Sequence, residues 1–267
     1  MRLSAREKEW NRLMRQERSF LSKGAERRDR RLNRLLADKV PDKLQGTLDA
    51  AFARAFEMIF DKGTGIIEKT YRKEEIEHQH KVNIYSADLS ENKKTLRKFS
   101  RETDSSNAKN LILSGTSGVG LGILGIGLPD IPLFVAELLK SIYETALHFG
   151  YDYESPLEKY FILKLIETAL SGGQALADGD AALNRFIDDP SLPEGYDQKQ
   201  QIRDTAATMS TELLYLKFLQ GIPVVGAVGG AFNAVYMQKV QKYAKLKYYR
   251  RFLVDRESGG WQPDDAG

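Results

Sequence analysis

The stretch Pro129-Asp-Ile-Pro-Leu-Phe-Val-Ala-Glu-Leu-Leu-Lys-Ser-Ile-Tyr-Glu-Thr-Ala-Leu-His-Phe-Gly150 decides the fold class. Pro132 suits a first helical turn, where its missing N–H has no partner to lose, and Asp130 is placed to cap that turn. From Leu133 to about Phe149 the pattern is helical, and Gly150 supplies the stop. Working outward, the same period returns on both sides. Leu44, Leu48, Phe52, Phe56, Ile59 and Phe60 follow Pro41 and Asp42 at intervals near four. Tyr160, Leu163, Ile166 and Leu170 follow Pro156 and end at Gly172 and Gly173. Asp188 to Gly195 reads as a loop, and helical patterning resumes from Gln200 to Leu219. No stretch alternates with a period of two. The sequence predicts an all-α, multi-helix bundle of roughly six to nine helices.

At 267 residues the chain can bury a sizeable core. Its 40 Lys and Arg against 37 Asp and Glu give a formal net charge of +3, unevenly placed. Residues 1–34 hold twelve basic and five acidic side chains, a net +7 that leaves −4 for residues 35–267. A second basic run, 237–256, sets seven Lys and Arg against Asp255 alone. Cationic ends predict a negative partner surface, phospholipid or nucleic acid. No reader motif accompanies either run, so nucleic acid is not the expected partner. The lack of cysteine removes disulfides, thiolate metal sites and a cysteine nucleophile, and it fits a reducing compartment. The first residues show no apolar segment after their charges, so the expected location is cytoplasmic, peripheral to the inner face of the cell membrane.

Three regions are expected. Residues 1–34 read as a basic helical arm, with Leu13, Phe20 and Leu21 loosely spaced and its end docked on the body. Residues 35–256 read as one helical domain, and 257–267 as a disordered tail. The charged and polar stretch from Lys73 to about Asn107 reads as a surface helix or loop.

Leu111–Leu128 carries no charge and six glycines: Gly115, Gly118, Gly120, Gly122, Gly125 and Gly127. Phe218–Met237 is a second uncharged, glycine-rich run. Gly118, Gly122 and Gly125 fall on one helix face, as do Gly226, Gly230 and Ala234. A helical glycine costs about 1 kcal/mol relative to alanine, and close approach of two helices is the usual compensation. The leading expectation is that the two segments pack together at the centre of the bundle. At 18 and 20 residues they also approach bilayer-spanning length, so a membrane hairpin or a true span stays open. Pro129, Pro132 and Pro223 temper both membrane readings.

Gly118-Val-Gly-Leu-Gly-Ile-Leu-Gly-Ile-Gly-Leu-Pro-Asp-Ile-Pro132, with Lys140-Ser-Ile-Tyr143 and Phe149-Gly-Tyr-Asp152, resembles the central motif of the EcsC family. Gln220-Gly-Ile-Pro-Val-Val-Gly-Ala-Val-Gly-Gly-Ala-Phe-Asn-Ala-Val235 resembles its C-terminal motif, and Lys39-Val-Pro-Asp-Lys43 its start. The similarity covers about residues 35–256 and leaves the arm outside. The resemblance implies membership of a bacterial family named for a gene found beside an ABC transporter, and with it a membrane-protein, transporter-related partner as an expectation. It carries over no catalytic residue and no cofactor.

The candidate binding residues are Gly118, Gly122, Gly125, Asp130, Glu137, Gly226 and Gly230. Asp130, Glu137 and Glu144 recur every seven residues on one helix stripe, with Lys140 and His148 beside them. That stripe is either a polar face meeting Lys or Arg of a neighbour, or a carboxylate set for a hard cation or acid–base work. Gly120 to Gly125 also matches the dinucleotide pattern G-x-G-x-x-G, but no strand–helix alternation surrounds it. His78, His80 and His148 fit no metal spacing, and no G-x-S-x-G elbow is present. No metal and no cofactor are expected. Lys239, Lys242, Lys245, Arg250 and Arg251 interleave with Tyr236, Tyr243, Tyr248, Tyr249 and Phe252. This pattern suits a basic membrane-surface anchor, or equally the last helix of a bundle with its tyrosines turned inward. The expected function is a non-enzymatic, peripheral helical protein that binds lipid or a membrane protein. The alternative is a hydrolase-like enzyme using Asp130 and nearby carboxylates at an apolar pocket.

Overall fold

The computed structural model describes residues 3–26, 42–62, 65–106, 131–219 and 230–258. Every regular element among them is a helix: α1 (Ala5–Glu26), α2 (Asp42–Lys62), α3 (Gly65–Glu68), α4 (Lys73–Leu89), α5 (Ile131–His148), α6 (Pro156–Leu170), α7 (Gly173–Asp188), α8 (Gln198–Leu219) and α9 (Gly230–Ser258). Residues 93–106 are helical as well, so the polar stretch after Lys73 is two helices joined by a short turn. The all-α expectation holds. The first glycine-rich segment and residues 220–229 of the second, with Gly118, Gly122, Gly125, Asp130 and Gly226, lie outside the described residues, as do the end of the arm after Glu26 and the tail from residue 259, whereas Gly230 is the first residue of α9.

α9 is the central post. It packs against α1, α5, α6 and α7, while α2 lies between α5 and α8. Tyr236, Met237, Val240, Tyr243, Ala244, Tyr248, Tyr249, Phe252 and Leu253 of α9 are all buried. A helix with buried side chains on most of its sides belongs in a core, although α9 also carries seven Lys and Arg. The Phe99 ring lies tilted against Phe252 with centroids 4.5 Å apart, tying the segment 93–106 to this post. The tyrosines of the basic run therefore point inward.

Local chemistry sets the helix ends. Ser4 and Glu7 form a reciprocal capping box: Glu7 N–H donates to Ser4 Oγ at 3.1 Å, and Ser4 N–H donates to Glu7 Oε2 at 2.7 Å. Ser155 caps α6 by accepting from Glu158 N–H, with Pro156 in the first turn. α5 ends in a Schellman turn, with Tyr151 N–H donating to Ala146 O and Gly150 N–H to Leu147 O, both at 3.0 Å. Gly150 has φ +86°, and a Cβ there would sit 2.4 Å from His80 Nε2. Only glycine meets both demands. Gly179 serves a different purpose, since its bare Cα lets α7 close on Thr168 of α6.

The N-terminal helix is held along its length. Glu9, Leu13, Glu17, Phe20 and Gly24 form one buried stripe at spacings of four, four, three and four. Two glutamates in that stripe face cations of the body. Glu9 meets Arg97 at 2.7 Å, and Glu17 meets Lys247 at 3.0 Å and Arg250 at 2.9 Å. Phe20 stacks on Tyr243 with ring centroids 4.8 Å apart.

A cationic cleft as the candidate functional site

The outer face of α1 and the adjacent face of α9 enclose an open cleft of about 580 Å³. It is lined by Arg12, Arg15, Gln16 and Ser19 from α1, and by Gln238, Gln241, Lys242, Lys245 and Leu246 from α9, with Asp104 at its edge. The two basic regions of the sequence thus meet in one place. Four cations face one carboxylate, and that carboxylate is paired with Lys245. Arg12 reaches Glu9 only at 3.4 Å, and Glu9 is shared with Arg97. Arg15 and Lys242 are exposed and form no ion pair among the described residues. Gln241 is different in kind. It is 4% exposed, and its amide nitrogen has no hydrogen-bond partner among the described residues.

The basic side chains named from the sequence divide between interior and surface. Arg251 sits at 2.6 Å from Glu158 and lies over the Tyr151 ring. Tyr248 donates to the same carboxylate at 2.6 Å. Lys239 meets Glu212 at 3.1 Å, and Arg250 meets Glu17. Packing uses these three cations, whereas Lys242 and Lys245 border the cleft. Neither Arg12 nor Arg15 was singled out in the sequence. Their spacing of three, with Ser19 one turn further, was the available signal.

The acidic stripe gathers elsewhere. Lys140, Glu144 and His148 line a second cavity of about 640 Å³ with Tyr71, Glu102 and Ser106. Glu137 is half-buried on the same helix. Lys140 Nζ donates to Thr70 O at 3.1 Å and lies 4.0 Å from Glu144. Burial raises the Glu102 carboxyl above its ordinary range. His148 Nε2 lies 2.9 Å from Ser106 Oγ, a serine–histidine contact that invites a nucleophilic reading. Two facts weigh against it. Burial, with His80 nearby, holds His148 down at about 4, too weak a base to take a hydroxyl proton at neutral pH. Its Nδ1 is buried with no partner among the described residues, so no carboxylate orients the ring there. No group of three metal-ligating side chains forms among the described residues.

A family model described as the EcsC protein family matches residues 5–253. The match starts at α1, where the sequence resemblance begins near residue 35. Protein EcsC of Bacillus subtilis (strain 168) is 23% identical over 242 residues, covering 88% of this chain and 91% of that protein. Uncharacterized protein YdbA of the same organism is 24% identical over 146 residues, 54% of this chain and 53% of its own length. The chain therefore spans about half of the second relative. No solved structure matches.

Proposed function

The chain belongs to the EcsC protein family, and from that premise we propose that it is a peripheral, non-catalytic helical protein that binds anionic membrane headgroups through the α1–α9 cleft. One observation carries the reading: cations from opposite ends of the sequence, Arg12 and Arg15 with Lys242 and Lys245, border one cavity. An exposed cation near an anionic leaflet contributes about 1 kcal/mol. An excess of three gives about 3 kcal/mol, an attachment that is reversible and sensitive to salt. No helix among the described residues is long and apolar enough to cross a membrane, which suits attachment from one side.

Co-flotation with liposomes tests this. The protein is expected to float with anionic vesicles at low salt and to stay behind with neutral vesicles or at high salt. Arg15→Glu combined with Lys242→Glu removes flotation and leaves the circular dichroism unchanged. A protein that never floats, or a charge-reversed variant that floats as the parent does, sinks the proposal.

A further inference from the structure

A diffuse basic patch attracts any anionic surface and has no use for a buried amide. The α1–α9 cleft has one. Gln241 is 4% exposed, lines the cleft, and its Nε2 donates to nothing among the described residues. A buried donor left unmade is a standing cost, which an acceptor in the cleft relieves once the Gln241 side chain turns its amide toward it. The same cleft is lined by Arg12 and Arg15, three residues apart on α1, and Lys242 and Lys245, three apart on α9. Residues at that spacing share a helix face. The neutral side chains Gln16, Ser19 and Gln238 line the cleft as well.

We infer that the cleft is a discrete seat for one phosphate monoester group, carried by a lipid headgroup or by a soluble ester, with the Gln241 amide as a donor from its buried side. The inference deepens the proposed function and rests on its assignment of this cleft as the anion-binding face. A phosphate monoester carries a charge of about −1.5 to −2 at neutral pH and three strong acceptor oxygens. Arg15 and Lys242, which have no ion-pair partner among the described residues, match that charge, and Arg12 and the amide add donors for the remaining oxygens. A phosphodiester offers one charge and two free oxygens, which leaves donors of the seat unmatched. Asp104 does not oppose the charge, since Lys245 is its partner. The volume of about 580 Å³ holds a phosphate with a glycerol-sized remainder and falls in the range of small-ligand sites.

The test uses two probes on the full chain. Calorimetry measures binding of sn-glycerol 3-phosphate. Flotation compares phosphatidylcholine vesicles doped with phosphatidic acid, a monoester, against phosphatidylglycerol, a diester, at matched zeta potential. A preference for phosphatidic acid is expected, and Gln241→Leu weakens glycerol 3-phosphate binding about tenfold. If Gln241→Leu melts earlier than the parent, Lys242→Ala takes its place, with a similar expected loss. Monoester preference on vesicles without saturable glycerol 3-phosphate binding assigns the lipid as the source. Saturable glycerol 3-phosphate binding without flotation keeps the seat, assigns a soluble ester and removes the membrane reading. Equal flotation on both vesicle types with no glycerol 3-phosphate binding overturns the seat and leaves membrane attachment standing. Variants that bind the monoester as the parent does overturn it too.

Discussion

Lys247 lies at the middle of α9 with none of its side chain exposed. Its ammonium reaches Glu17 of α1 at 3.0 Å, Asp180 of α7 at 2.7 Å and the Asn184 amide oxygen at 2.8 Å. Three donors meet three acceptors, which satisfies the group. Lys247→Met keeps the apolar stem and deletes the charge. Glu17 would retain Arg250 at 2.9 Å. Asp180 would keep the neutral donors Tyr243 Oη at 2.7 Å and Asn184 Nδ2 at 3.0 Å, but no cation among the described residues. Breaking a buried pair in this way costs about 3–5 kcal/mol, a large part of the roughly 5–15 kcal/mol that holds a domain together. Thermal unfolding followed by far-ultraviolet circular dichroism would read it, with a fall in Tm of roughly 6–20 °C. Removing the stranded charge as well, in Lys247→Met with Asp180→Asn, should recover at least about 1.5 kcal/mol as coupling. A single-variant loss below about 1 kcal/mol, or a double variant without coupling, would refute the reasoning. The ions would then not be what fixes α1 and α7 to the central post.

Two further outcomes follow from the same geometry. Gly150→Ala combines an unfavourable φ of +86° with a Cβ 2.4 Å from His80 Nε2, so a loss of about 1–3 kcal/mol is expected. Gly195→Ala, at φ +68° with no atom within 4 Å, loses only about 1 kcal/mol; equal effects in thermal melts would show that the His80 contact carries no energy. The buried His148 gives a pH dependence. Its folded value of about 4 lies below the ordinary 6.5, so the unfolded chain binds more protons between those values and stability falls as pH drops through that window. The fall amounts to at most about 3 kcal/mol. His148→Gln, which can still bond Ser106, flattens that part of the stability profile; an unchanged slope contradicts the assignment.

What the sequence made legible depended on how local the signal was. Pro132 and Gly150 bracket α5 because each acts through its own backbone: proline tolerates a first turn and glycine adopts the left-handed turn that ends one. The segment 93–106 was harder to read, since Leu96, Phe99 and Thr103 are buried inside a run of Lys, Arg and Glu. The arm was hidden for a more specific reason. Its buried stripe contains Glu9 and Glu17, and a hydropathy pattern scores a buried glutamate as surface. Lys247 misleads in the same way. Ion pairs between helices far apart in sequence leave no periodic trace, so neither stripe can be recognised until Arg97, Arg250 and Asp180 are known to face it. The cleft was half legible. Charge at both ends of the chain indicated a negative partner, but that the ends share one cavity follows from the packing of α1 on α9, which no local pattern encodes.

That packing also explains why the cleft is positive. α1 turns Glu9 and Glu17 inward to meet Arg97, Lys247 and Arg250. The acids that would have balanced its surface are therefore inside, and Arg15, Arg18 and Lys23 remain exposed. α9 makes the complementary choice. Lys239, Lys247, Arg250 and Arg251 go to interior carboxylates, while Lys242 stays in solvent beside Arg15. The surplus outside is the counterpart of pairing inside, so the fold does not depend on the charges that border the cleft. Reversing Arg15 and Lys242 should consequently abolish attachment to anionic vesicles while changing unfolding stability by no more than about 0.5 kcal/mol per site. A larger loss of stability would place those two cations in the scaffold and remove them from the binding surface.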